Sequence, residues 1–163
     1  DPVRYLTNRS SGKQGYALAQ AAVDAGAAVT LISSAQELPV PIGATLIPVH
    51  SAEEMLNAVL TYAATADALI MAAAVADFRP AEVAKQKIKK SERSDDAPTL
   101  VLTRTADILT AVKEQRAKSG WPHVTVGFAA ESEDLIHNAQ SKLKRKGLDL
   151  IVANDITAID DAK

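Results

Sequence analysis

Residues 69–90 read LIMAAAVADFRPAEVAKQKIKK, and the rest of the chain is read from them. An apolar β-type run ends in a single carboxylate, Asp77. Arg79 and Pro80 then open a loop that gathers Lys85, Lys87, Lys89 and Lys90. In an open α/β sheet, ligands bind just beyond the carboxyl ends of the strands. A strand-end acid followed by a lysine-rich segment suits a polyanionic ligand that also carries hydroxyls, and a nucleotide has both.

Outward from that stretch, strand and helix signals alternate. The run 68–76 is continuously apolar, as expected of a strand covered on both faces. Upstream, 13–26 (KQGYALAQAAVDAG) predicts a helix stopped by Gly26. Strands are predicted over 29–33 and 44–49, the second set off by the Pro39/Pro41/Gly43 turn. Ser51, with Glu53 and Glu54 behind it, opens a helix whose apolar face carries Met55, Leu56, Val59 and Leu60. Downstream, 91–97 is polar and reads as mobile. Strands are predicted over 99–103, 124–129 and 148–153, and helices over 107–118 and 133–146, the last stopped by Gly147. This alternation predicts one α/β domain over 1–163: a three-layer, Rossmann-like fold with a mostly parallel sheet. A flexible flap over 80–97 lies within it. No internal repeat is present.

Composition sets the bounds. The 163 residues are enough for one compact domain, and 47 % are hydrophobic, so a core can form. Ala and Val dominate and aromatics are only 4 %, which suits helices packed closely on a sheet. A formal net charge of −2 argues against nonspecific nucleic-acid binding as the main task. With no cysteine, disulfides, thiolate metal sites and a cysteine nucleophile are excluded. Asp67 and Asp77 bracket the longest apolar run, which falls short of membrane-spanning length. No signal peptide is visible, so the default location is the cytoplasm. The chain opens on Asp1-Pro2-Val3-Arg4 without Met and stops at Asp161-Ala162-Lys163, so it is expected to be part of a longer polypeptide.

Several further motifs carry two readings each. Ser10-Ser11-Gly12-Lys13-Gln14-Gly15 opens the first helix. Small residues there let backbone N–H groups approach a phosphate; a plain serine cap is the bland alternative, and neither a Walker loop nor G-x-G-x-x-G is present. Asp77 is a turn residue, or a carboxylate for ribose hydroxyls or Mg²⁺. The Lys87-Ile88-Lys89-Lys90 run is a solvated loop, or a flap docked through Ile88, with lysine as the swinging cation. Phe128, in Gly127-Phe128-Ala129-Ala130-Glu131, is core packing, or an aromatic wall for a base. Lys142 and Lys146 share a helix face, with Lys144 and Arg145 expected on other faces. The pair complements the helix dipole, or clamps phosphate oxygens. His50, His123 and His137 lack ligand spacing and read as structural. No metal is expected from the protein alone, but Mg²⁺ would arrive with a nucleoside triphosphate.

Taken together, DPVRYLTNRSSGKQG (1–15), AAAVADFRP (72–80), KIKK (87–90), TADIL (105–109), GFAAE (127–131) and KLKRKGLDLIVAND (142–155) resemble one family. It is phosphopantothenate–cysteine ligase, also called phosphopantothenoylcysteine synthetase: the synthetase half of the bacterial bifunctional coenzyme A biosynthesis flavoprotein. The segments span nearly the whole chain in the family's order. The resemblance implies CTP-dependent ligation of L-cysteine to 4'-phosphopantothenate through an acyl-cytidylate. It implies Asn8 holding that intermediate, Arg4 assisting the second step, and Lys87 as the flap lysine of the first. It further implies Ala72, Ala73 and Ala74 along the nucleotide pocket, Asp77 as the nucleotide-binding carboxylate, and Ala106, Asp107, Ile108 and Leu109 as a CTP-contacting segment. Phe128 abuts the nucleotide in the same comparison, Lys142 and Lys146 match the family's two helix lysines, and Ser11 and Gly12 are the residues chosen for backbone contacts to phosphate.

The resemblance also implies a homodimer through the N-terminal region and a partnered flavin-dependent decarboxylase. FMN is expected outside this domain. The KIKK and AAAVAD context favours CTP over the ATP of eukaryotic relatives. Ala106 stands where the family often has Pro. The family's first strand, with its Gly/Thr-rich turn before D-P-V-R, and its C-terminal segment are expected to lie outside this sequence. The rival readings are an NAD(P)-dependent oxidoreductase of Rossmann type, which lacks its glycine fingerprint here, and a noncatalytic nucleotide-binding domain.

Overall fold

The computed structural model describes residues 1–8, 10–89, 99–131 and 133–155. Elements follow the chain as α1 (Lys13–Asp24), β1 (Val29–Ser33), β2 (Ala44–Pro48), α2 (Ala52–Ala63), β3 (Ala68–Met71), β4 (Phe78–Pro80), β5 (Leu102–Arg104), α3 (Ile108–Ser119), β6 (Val124–Glu131), α4 (Leu135–Lys146) and β7 (Leu150–Asp155). Their ends follow from local chemistry. Ser51 Oγ accepts from the Glu54 N–H at 3.1 Å, which satisfies one orphan donor of α2, and the Glu54 carboxylate reaches back to the N–H of His50, just before the cap, at 2.8 Å. Helix α3 is capped by the Asp107 carboxylate and ends at Gly120, which takes the left-handed conformation that only glycine adopts cheaply.

The strands are mostly parallel. β1 pairs with β2, and β6 lies between β3 and β7, all in parallel. Side chains alternate across these strands. Leu31 and Val29 of β1 face α1, where they meet Tyr16 and Ala19; Ile32 faces the other way, onto the cluster of Val49, Met55, Val59, Ile108 and Val112 under α2 and α3. Leu69 and Met71 of β3 reach the same cluster, so β1 and β3 share a core although they do not pair with each other. Burial of each such aliphatic side chain is worth roughly 1.5–3 kcal/mol. The α/β class and the mostly parallel pairing are as expected, but the strands fall into separate sheets rather than one, and it is β1 that has helices on both sides.

Particular boundaries differ from expectation. The strand predicted over 68–76 ends at Met71, where its pairing with β6 stops at Gly127, and the chain from Ala72 to Ala76 leaves the sheet. Nor is that strand covered on both faces. Ile70, Val126 and Leu150 lie in register across three strands, and Ile70 and Leu150 are 44 % and 59 % exposed. An antiparallel ribbon of β4 and β5 was not foreseen: Phe78 pairs with Arg104, and Pro80 ends β4, where an edge strand tolerates a missing N–H. The strand expected over 99–103 is thereby set to Leu102–Arg104. This ribbon is the foot of the flap expected over 80–97, of which Lys90 and 91–97 lie outside the described residues. The last strand starts at Leu150 because Leu148, 6 % exposed, packs beneath Gly127 instead of joining the ladder. No helix among the described residues is long and apolar enough to cross a membrane.

Candidate functional site

At the carboxyl end of β3, the chain that leaves the sheet walls a cavity of about 720 Å³, within the usual range for small-molecule sites. Four segments line it. The β3–β4 connection gives Ala73, Ala76, Asp77 and Phe78; the run from β5 into α3 gives Arg104 through Leu109; β6 gives Phe128; and α4 gives Asn138, Ser141, Lys142, Arg145 and Lys146. The ribbon holds the second segment against the first: the Thr105 N–H donates to the Asp77 carbonyl at 2.8 Å. The fourth is aimed by helical spacing, because residues three and four apart share a face.

The lysines arrive tethered. Lys142 Nζ donates to the Phe128 carbonyl at 2.7 Å. Lys146 Nζ contacts the Asp107 carboxylate and lies 3.3 Å from Thr110 Oγ1. Asp107 also caps α3 by accepting from the Thr110 N–H at 3.0 Å. Burial pushes its carboxyl up, but the Lys146 ammonium and the Thr110 N–H outweigh burial and hold it below the ordinary carboxylate range. Asp77 is exposed, and its carboxylate has no partner among the described residues. Four cations, Arg104, Lys142, Arg145 and Lys146, therefore face two acids around one cavity. Such a lining attracts a polyanion. No group of three or more acidic or histidine ligands that could hold a metal occurs among the described residues, so a divalent cation here would be held chiefly by the anion it accompanies, with Asp77 as the available carboxylate.

Most of the residues picked from sequence meet here. Ala73, Asp77, Ala106, Asp107, Ile108, Leu109, Phe128, Lys142 and Lys146 line the cavity. Ala72 and Ala74 flank Ala73 without lining it, and Asn8 Nδ2 donates to the Ala74 carbonyl at 3.3 Å, which sets Asn8 beside that wall. Beyond Asn8, Ala72 and Ala74, four more residues lie outside the lining: Arg4, Ser11, Gly12 and Lys87. Arg4 is paired with Asp1 and donates to the Ile88 carbonyl at 2.9 Å, so Lys87 belongs to a segment held by the N-terminal residues. Ser11 does not cap α1; the cap position is Gly12, with φ 71° and no side-chain bond, and Ser11 Oγ accepts from the Lys13 N–H at 3.4 Å.

Arg145 was expected on another face of α4, yet it lines the cavity, because its offset of three from Lys142 turns it back toward that side. Arg104, Asn138 and Ser141 were missed. For the α4 pair the signal was available, since Asn138 and Ser141 stand four before Lys142 and Arg145. Arg104 depended on the pairing of β4 with β5, and only a strand over 99–103, one residue short of it, was expected.

Three comparisons bear on this site. Residues 1–162 match the family described as DNA/pantothenate metabolism flavoprotein C-terminal domain. Among curated relatives, a protein of Vibrio vulnificus named Coenzyme A biosynthesis bifunctional protein CoaBC is 48 % identical over 157 residues, covering 96 % of this chain and 38 % of the relative. The protein of the same name from Bacillus subtilis is 50 % identical over 159 residues, covering 97 % and 37 %. The chain thus spans under two-fifths of the relatives' length. Among solved structures, the C-terminal domain of a CoaBC protein superposes with a TM-score of 0.79 at 41 % identity, covering 95 % of this chain and 70 % of that one. A DNA/pantothenate metabolism flavoprotein from Streptococcus pneumoniae shares the fold, with a TM-score of 0.78 at 24 % identity, covering 96 % and 77 %.

Proposed function

The chain belongs to the family of DNA/pantothenate metabolism flavoprotein C-terminal domains, and on that footing we propose that it is the synthetase half of a bifunctional coenzyme A biosynthesis enzyme, ligating L-cysteine to 4'-phosphopantothenate at the expense of CTP. The observation that carries this reading is the cavity itself: an aromatic side chain, an unpaired carboxylate and four cations on one wall system at a strand end. A cytidine triphosphate needs all three, for its base, its ribose or magnesium, and its phosphates.

The chemical difficulty is that a carboxylate is a poor electrophile. In the proposed first step a carboxylate oxygen of phosphopantothenate attacks the α-phosphorus of CTP, and the bond to the β-phosphate bridging oxygen breaks, releasing pyrophosphate. In the second, the cysteine amine attacks the activated carbonyl carbon, the acyl–oxygen bond breaks, CMP leaves and the amine loses a proton. Lys142, Arg145 and Lys146 would neutralise charge that builds on the phosphates, and their tethers to Phe128 and Asp107 pre-orient two of them. Phe128 would stack on the base, with Ala73 leaving room beside it. Asn8 would hold the acyl-nucleotide, Arg4 would assist the second step and Lys87 the first. Mg²⁺ bound to the triphosphate would supply further charge neutralisation, with Asp77 as its candidate protein ligand.

Exposed Val3, Tyr5 and Leu6 support a homodimer through the N-terminal region. The word bifunctional in the relatives' name supports fusion to a decarboxylase half, where the FMN would reside. The test is pyrophosphate release from CTP and Mg²⁺ by the full-length protein. Release that requires phosphopantothenate, followed by CMP and amide on adding cysteine, is the expected result. Binding of NAD(P)H but not CTP would reject the reading, as would CTP binding without turnover.

A further inference from the structure

We propose that Asp1 is a positioning residue, a hub that fixes Arg4 and the lysine-bearing segment to each other. Asp1 lies at the start of an exposed stretch, yet its side chain is only 1 % exposed. Its Oδ1 accepts from the Val3 and Arg4 N–H groups, each at 3.0 Å. Its Oδ2 accepts from Arg4 Nε at 3.0 Å and, across 87 residues, from the Ile88 N–H at 3.2 Å. Arg4 Nη2 also contacts that carboxylate and donates to the Ile88 carbonyl at 2.9 Å. Both backbone polar groups of Ile88 are therefore held, one by the acid and one by the base of a single ion pair.

A tie of this kind sets geometry. Lys87 and Lys89 flank Ile88, so pinning its peptide groups fixes where their side chains begin, while the flexible stems stay free to swing. Removing the Asp1 carboxylate would leave the Arg4 guanidinium without its counter-ion and the Ile88 N–H without its protein acceptor; both partners are exposed, so water would take over those bonds and the tie between the two segments would be lost. The inference rests on the proposed function in one respect: that reading gives Lys87 the first chemical step and Arg4 the second. Because Asp1 touches Arg4 and the residue beside Lys87, its loss should slow both steps comparably, whereas Lys87 serves the first and Arg4 chiefly the second.

The experiment uses full-length protein carrying Asp1→Ala or Asp1→Asn. Hydrogen exchange at the Ile88 amide is expected to rise at least about tenfold in Asp1→Ala. Single-turnover formation of the acyl-nucleotide and its capture by cysteine are each expected to fall about 10–100-fold, with CTP affinity changed less than about threefold. Asp1→Asn, which keeps one acceptor and the side chain's shape, should fall between the two. Lys87→Gln should slow only the first step; Arg4→Gln should slow chiefly the second and, because it also frees the Ile88 carbonyl, the first to a smaller extent. Unchanged Ile88 exchange, or a loss confined to one step, would overturn the proposal. Should Asp1→Ala unfold, Asp1→Asn decides by the same readouts. If wild-type protein releases no pyrophosphate, the functional reading fails while the exchange measurement still tests the hub.

Discussion

The ammonium of Lys146 rests against the carboxylate of Asp107, so the acid that caps α3 also anchors a lysine of α4 at the cavity wall. The cap and the clamp are one device, and disturbing either should be felt in both stability and binding.

Asp107→Ala should cost about 1 kcal/mol through the lost cap. The sign of its pH dependence follows from the direction of the shift. The folded-state carboxyl titrates below its ordinary value of 3.8, so its stabilising contribution is present above that value and fades as pH falls through the lower folded-state one. Urea midpoints of wild type and Asp107→Ala should therefore differ at pH 7 and converge in acid, once the pH has fallen through the lowered folded-state value. A gap that persists unchanged into that acid range would show that the carboxylate's charge plays no part.

Lys142→Gln and Lys146→Gln should not weaken triphosphate binding equally. Each removes a charge-assisted bond, worth about tenfold in affinity. Lys146→Gln also leaves Asp107 unpaired beside the phosphates, so its loss should be several-fold larger. Adding Asp107→Ala to Lys146→Gln should recover part of the affinity, a coupling that calorimetry on the double-mutant cycle would detect. Additive losses would mean the pair acts independently.

Gly12→Ala tests whether that glycine is needed for the backbone alone. Its φ of 71° disfavours a side chain, and a Cβ there would sit 2.5 Å from the Ala35 Cβ. Ala35 cannot rotate away, and its carbonyl is held by the Tyr16 hydroxyl. Strain and overlap together should cost about 2–4 kcal/mol, a fall in Tm of roughly 5–15 °C. A Tm within about 2 °C of wild type would show that the loop before α1 yields.

How much of this was legible follows from what each feature depends on. Helix periodicity, the Ser51 and Asp107 starts and the glycine stops are local, and they were read within about two residues. The meeting of Asp77, Phe128, Lys142 and Lys146 also followed: Asp77 comes after the end of β3, Phe128 lies on the neighbouring parallel strand β6, and the two lysines share a face of α4, the helix that follows β6. What escaped was nonlocal. The β4–β5 ribbon pairs Phe78 with Arg104 across a long stretch of chain, and although a strand was expected over 99–103, its antiparallel partner at Phe78–Pro80 gave no sign. Asp1 gave no sign of its role because its partner is 87 positions away. The true end of β3 was hidden because alanines suit a buried strand and a close-packed ligand wall equally well.

Asn8→Asp should separate the two chemical steps. Asn8 Nδ2 donates to the Ala74 carbonyl at 3.3 Å, beside a cavity wall formed by Ala73. A carboxylate has no proton for that bond, and its charge would repel both the Ala74 carbonyl oxygen and any phosphate next to it. The nucleotidyl step does not need this amide in the proposed scheme, so one equivalent of pyrophosphate should still be released. Capture by cysteine does need it, to hold the activated carbonyl in line, and should slow about 100-fold. The intermediate should then accumulate and be detectable by mass spectrometry after rapid quenching. If pyrophosphate release fell as far as amide formation, with no intermediate trapped, Asn8 would instead serve the nucleotide's own binding.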